Sequence, residues 1–128
     1  GFWTPVLVPR LGQCEYSCTA CGEHCPTGAI PRLAADDKQS WAIGKAYVDP
    51  AICIPWSGRG DCIVCEEMCP VPEKAIRLVE RPVEEPGGSR VLLAPEVHHE
   101  RCIGCGLCER KCPVNGEAAI RVRVDPFG

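Results

Sequence analysis

Twelve cysteines fall into three groups, and each group closes on a Cys-Pro step followed shortly by Ala-Ile: CPTGAI from Cys25, CPVPEKAI from Cys69 and CPVNGEAAI from Cys112. Three copies of one unit, with the Cys-Pro steps 44 and 43 residues apart, mark an internal repeat. No other feature restricts the fold as strongly. A chain of 128 residues with two Phe, two Tyr and three Trp has little from which to build an apolar core, and small chains short of core are held together by disulfides or bound metal.

Each unit consists of a cysteine-rich loop, a short helical turn leading to Cys-Pro, and an extended apolar segment. Within a single 1–128 domain the modules are expected at about 1–33, 45–80 and 90–124. Segments 45–48, 75–80, 90–93 and 119–124, rich in Val, Ile and Leu, predict short strands. Segment 81–90, RPVEEPGGSR, with two prolines and a Gly-Gly pair, predicts a hairpin connection, and 34–40, AADDKQS, a polar loop. Thirteen Gly and thirteen Pro argue against long helices. The expected fold class is therefore α+β, with short strands and helices arranged in small, loop-rich modules.

The third group, Cys102-x2-Cys105-x2-Cys108-x3-Cys112-Pro113, has the spacing of the bacterial ferredoxin run for a [4Fe-4S] centre. Two-residue spacers let three successive thiolates wrap one cubane while the backbone N–H groups between them face its sulfides. Gly104 and Gly106 supply the backbone freedom for that approach. The fourth cysteine of such a run normally serves the other cluster of a pair, and Pro113 stops the helix behind it. The first group, Cys14-x3-Cys18-x2-Cys21-x3-Cys25-Pro26, departs by one residue in its first spacer; the second, Cys53-x8-Cys62-x2-Cys65-x3-Cys69-Pro70, carries the insertion IPWSGRGD there. Both keep the Cys-x2-Cys-x3-Cys-Pro end. A longer first spacer only lengthens a loop, so all three groups read as ligands of [4Fe-4S] clusters in bacterial-ferredoxin-like modules.

Other chemistries fit less well. A structural four-cysteine zinc site pairs two close cysteine couples across a longer stretch and leaves a threefold Cys-Pro ending unexplained. A disulfide scaffold suits an even cysteine count, but repeated Cys-x2-Cys spacing suits a metal better. The triplet Cys14, Cys18 and Cys21 also resembles the cluster loop of radical S-adenosylmethionine enzymes, yet those need a far larger barrel and leave one iron without a cysteine.

Three groups sit awkwardly in a design that works by pairs. Twelve cysteines suffice for three clusters if one group closes in a non-standard way. Alternatively a fourth group lies upstream of Gly1 or on another chain, and the absence of an initial Met fits a processed product or a fragment. The expected exchange is between the first two groups: Cys14, Cys18, Cys21 and Cys69 around one centre, Cys53, Cys62, Cys65 and Cys25 around another. Cys102, Cys105 and Cys108 hold the third, with Cys112 serving it or an absent neighbour.

The formal charge is −3 and the basic residues are scattered, which argues against nucleic-acid binding. Three oxidised centres of about −2 each would take the loaded chain to about −9, so a partner with a basic docking patch would suit it. No run of about 18 apolar residues is present, so no transmembrane segment is expected in this chain. Neither a Ser/His/Asp set nor a phosphate-cradling Gly loop suggests catalysis.

Through WTPVLVPRLGQCEYSCTACGEHCPTGAI, CIVCEEMCPVPEKAI and CIGCGLCERKCPVNGEAAI, the chain resembles the ferredoxin-type polyferredoxin subunits of the NapG/MauM kind, and more distantly the four-cluster subunits of molybdenum oxidoreductases. The likeness covers most of the chain and matches the last three groups of such proteins. It implies an electron relay, an electron carrier or non-catalytic oxidoreductase subunit, between a membrane quinol-linked component and a terminal redox enzyme. A periplasmic or membrane-peripheral place follows from the resemblance alone, and the residues leave the cytoplasm open. The alternative of another class is a structural zinc-binding scaffold.

Three histidines and three tryptophans invite functional readings. His24 lies between Cys21 and Cys25, and His98 and His99 precede Cys102. With twelve cysteines present a ligand role for His98 and His99 is superfluous; the His24 imidazole could donate to a cluster sulfur and tune its potential, but exposure on the short helix is the simpler expectation. Trp3, Trp41 and Trp56 could lie on an electron path, but packing over a thin core is the simpler reading.

Overall fold

The computed structural model describes residues 6–124; Trp3 therefore lies outside the described residues. The Cys-Pro steps end helices as expected. Helices α1 (Ala20–His24), α3 (Val64–Met68) and α4 (Leu107–Lys111) each run five residues and give way to Cys25, Cys69 and Cys112, whose ψ angles of 116, 118 and 125° are extended. Proline drives the residue before it out of the helical region, so the fourth cysteine of each group faces away from the turn that holds the second and third.

Segment 34–40 is not the loop expected from its polarity. Helix α2 (Ala35–Ser40) forms there, with Asp36 and Asp37 in its first turn and Lys38 in its last, charges placed favourably for the helix dipole. The helix buries no residue, and so lacks the apolar period by which a helix is read from sequence.

Strand β1 (Lys45–Val48) pairs antiparallel with β4 (Ile120–Arg123), and β2 (Ile76–Glu85) with β3 (Gly88–Val97). The hairpin expected around 81–90 is present, but its arms run to ten residues each and only Pro86 and Gly87 form the turn. The extra length buries one face: Leu92 and Ala94 are inaccessible, whereas Val91 and Leu93 face out.

Residues 45–124 contain a duplication. β1, the second cysteine group, α3 and β2 are matched by β3, the third group, α4 and β4. After β3, the His98 amide donates to Ala75 O at 2.6 Å; after β1, the Asp49 amide donates to Ala119 O at 2.7 Å. The two halves interlock, because β1 of one pairs with β4 of the other, in the register Lys45↔Arg123 to Val48↔Ile120, and α3 packs on α4. Their shared core is small: Ala46, Ala75, Ile76 and Ile120, with Cys65, Cys102 and Cys108.

The segment before β1 is held from outside. The Arg10 guanidinium donates to the carbonyls of Glu109 (2.7 Å), Cys112 (2.8 Å) and Val114 at the C-terminal end of α4, where helix carbonyls lack partners. The Cys14 amide donates to Cys105 O at 2.7 Å and the Ile43 amide to Ile103 O at 2.9 Å; within the segment, Lys38 Nζ reaches Tyr16 O at 3.0 Å.

Candidate functional site

All twelve cysteines lie among the described residues, and none forms a disulfide. Eight surround two cavities. Cys53, Cys62, Cys65 and Cys112 line the first, together with Ile54, Pro55, Pro95 and Ile120; it holds about 350 Å³ of atom-free space, part of it open to solvent. Cys69, Cys102, Cys105 and Cys108 line the second, with Ala46, Ile76 and Val122, in about 340 Å³ measured the same way.

This grouping differs from the exchange expected from sequence. Cys69 stands with the third group, not with Cys14, Cys18 and Cys21, and Cys112 stands with the second group, in the place expected for Cys25. The cause is the duplication. α3 and α4 lie side by side, so the cysteine that ends each helix reaches the loop of the other half. Cys14, Cys18, Cys21 and Cys25 line neither cavity: Cys14 and Cys25 are half-buried, Cys18 and Cys21 exposed.

Whether these residues suit an iron-sulfur cubane can be judged from their chemistry. Burial first, and neighbouring thiols after it, push the Cys65 thiol up to about 12 and raise Cys53, Cys105 and Cys108 as well. Four thiolates in an apolar enclosure repel one another and lose their hydration, so they ionise together only around a cationic core. Two Sγ atoms already accept backbone hydrogen bonds, Cys102 from Ala46 N at 3.3 Å and Cys112 from Ala119 N at 3.4 Å. Among the described residues no three Cys, His, Asp or Glu side chains converge on a single-ion site; the thiols stand around the cavities, as a polynuclear centre requires. The residues fit the cluster.

Gly104 and Gly106, between these thiols, have φ of +75 and +84°, the left-handed region that favours glycine. A Cβ on Gly104 would come within 2.5 Å of the Gly44 backbone, and one on Gly106 within 2.5 Å of Pro9. Both glycines therefore let the preceding chain close over the loop, a role that spacing alone did not reveal.

Cys25 is the opposite of the buried thiols. Its half-buried thiol is brought down to about 7 by backbone hydrogen bonding at Ile30 first, then by Thr27, which favours the thiolate that a metal binds.

The histidines stay clear of both cavities. His24 is exposed on α1, His98 faces Glu100 at 3.5 Å, and His99 Nε2 lies 2.9 Å from Ala46 O with its ring 4.5 Å from that of Tyr47. Trp41 is 55% exposed and packs over no core. Trp56 is anchored, its indole N–H donating to Pro95 O at 2.7 Å.

Two interleaved sets of four thiols on a duplicated α+β scaffold define a ferredoxin-type arrangement, and the comparisons agree. The 4Fe-4S dicluster domain family matches residues 59–116. The chain is similar to ferredoxin-type proteins of the MauM and NapG kind. It is 35% identical over 121 residues to the methylamine utilization ferredoxin-type protein MauM of Methylorubrum extorquens, covering 93% of this chain and 52% of the relative. It is 35% identical over 120 residues to the ferredoxin-type protein NapG of Haemophilus influenzae, with 93% and 42% covered, and 36% identical over 124 residues to NapG of Escherichia coli, with 93% and 51% covered. The chain thus spans about half the length of the curated relatives it matches. No solved structure matches it. Among the described residues no helix is long and apolar enough to cross a membrane.

Proposed function

We propose that this chain is an electron carrier that relays single electrons through three [4Fe-4S] centres and performs no catalysis of its own. The observation that carries the reading is the pair of apolar cavities, each ringed by four thiols contributed by two different cysteine groups. When bound, each centre supplies a reversible one-electron couple.

The ligand sets we propose are Cys53, Cys62, Cys65 with Cys112, and Cys102, Cys105, Cys108 with Cys69. Since Cys69 and Cys112 are engaged there, Cys14, Cys18 and Cys21 are completed by Cys25. The protein's part is to hold the thiols in sequence. Helices α3 and α4, which carry Cys65 and Cys108, pack together, and the Cys14 amide binds Cys105 O at 2.7 Å. The set of the third group is thereby in the middle, between the surface set and the set under the hairpin.

The partners are redox proteins. The resemblance makes a membrane quinol-linked component and a terminal oxidoreductase the candidates, with this chain a non-catalytic subunit or carrier between them. Iron and acid-labile sulfide counted per chain in anaerobically purified protein test the reading. Roughly twelve of each are expected for three cubanes; zinc in their place, or thiols oxidised to disulfides, would overturn it.

A further inference from the structure

The insertion IPWSGRGD and the long hairpin are the two departures of residues 45–124 from a minimal cysteine-loop unit, and they meet. Ile54 and Pro55 form part of the lining of the Cys53 cavity, and Pro55 is fully buried. Trp56 then crosses to the hairpin, where its indole N–H binds Pro95 O at 2.7 Å and the Arg81 guanidinium lies 5.5 Å over its ring. Two residues on, Gly58 packs against Val83 of β2, a Cβ there falling 3.5 Å from the valine side chain. The loop braces itself through the amides of Ser57 to Cys53 O (2.8 Å) and Arg59 to Ile54 O (3.0 Å).

Pro95 lines the Cys53 cavity on one side and an outer groove, shared with Trp56 and Tyr47, on the other. Pro95 therefore stands between the thiols and the outer groove, and the Trp56 indole is bonded to it. The Cys69 cavity has no such insertion in its loop; the segment carrying Pro9 lies over Gly106 instead.

Resting on the ligand sets given above, we propose that the insertion is a water shield for the Cys53–Cys62–Cys65–Cys112 site, latched by Trp56, and that Trp56 is a positioning residue that lowers the potential of the centre held there. Reduction adds one negative charge to an already anionic centre. Water stabilises that charge and an apolar wall does not, and exposure is among the determinants of cluster potential. Opening the wall should therefore raise the potential of this centre and leave its neighbour unchanged.

The test is a redox titration followed by electron paramagnetic resonance on Trp56→Ala and Trp56→Phe, with signals assigned by their loss in Cys53→Ser and Cys102→Ser. The Ala variant is expected to shift the midpoint of the Cys53 centre to more positive values and to lose that centre faster in air. The Phe variant, which keeps the ring but loses the bond to Pro95, should shift it in the same direction by less. If Trp56→Ala does not load its clusters, the Phe variant decides. An unchanged Cys53 centre, or equal shifts in both centres, overturns the shield. Wild-type protein without iron and sulfide would instead defeat the underlying ligand reading, so the two failures are distinguishable.

Discussion

The same short signature, Cys-Pro followed by Ala-Ile, has two different fates in this molecule. In the second and third groups Ile76 and Ile120 start strands and are 3% and 2% exposed; in the first group Ile30 starts no strand and is 41% exposed. The difference lies in what surrounds the copies. Residues 45–124 pair two copies, so each supplies the other with a strand, a helix face and a fourth thiol. The segment holding the first group is fastened to that unit by hydrogen bonds from Arg10, Cys14 and Ile43. A repeated sequence therefore specifies a ligand loop, and burial comes only when a second copy packs against it.

That contrast sets the expected sizes of perturbations. The largest should come from removing the metal. The shared core is mostly alanine and cysteine, too little apolar surface to offset chain entropy without the centres. Anaerobic chelation is expected to abolish cooperative unfolding and the β signal in circular dichroism; strands that survive without iron would show that the paired unit is held by packing alone.

Next comes Gly104→Ala, which meets both a positive φ and the Gly44 backbone. A destabilisation of roughly 3 kcal/mol is expected, read by denaturant titration of the loaded protein. A smaller effect follows from Arg10→Ala, which removes three charge-assisted bonds to α4. It should cost about 2 kcal/mol and appear as faster hydrogen exchange around Cys14, with β1 and β4 still protected; equal loss of protection in all three would erase the distinction between the regions. Smallest is Lys74→Ala. Lys74 binds the carbonyls of Glu66 and Glu67 at the end of α3 and pairs with the Glu66 carboxylate at 3.6 Å, in a partly exposed site. A change under about 1 kcal/mol in thermal unfolding is expected, since α3, unlike α4, finds this cap within the paired unit.

Much of this was legible in the sequence. The cysteine loops follow from cysteine spacing, the helix ends from Cys-Pro, β1 and β4 from short strand-like segments, and the hairpin connection from its prolines and Gly-Gly pair. Helix α2 was hidden because AADDKQS has no buried face to give it a period. The length of the hairpin was obscured by Pro82 and Pro86, which read as loop. One of them falls within a strand of a two-stranded ribbon, which has a free edge on each side. Which thiols stand beside Cys69 and Cys112 was not readable from spacing. That depends on which helix lies beside which, a tertiary choice made by the β1–β4 pairing across 75 or so residues of chain.

That choice is open to direct test. Cys69→Ser should abolish the same electron paramagnetic resonance signal that disappears in Cys102→Ser, leaving intact the signal that depends on Cys14. If Cys69→Ser instead removes the signal dependent on Cys14, the first two groups exchange ligands and the interleaving of the second with the third is wrong.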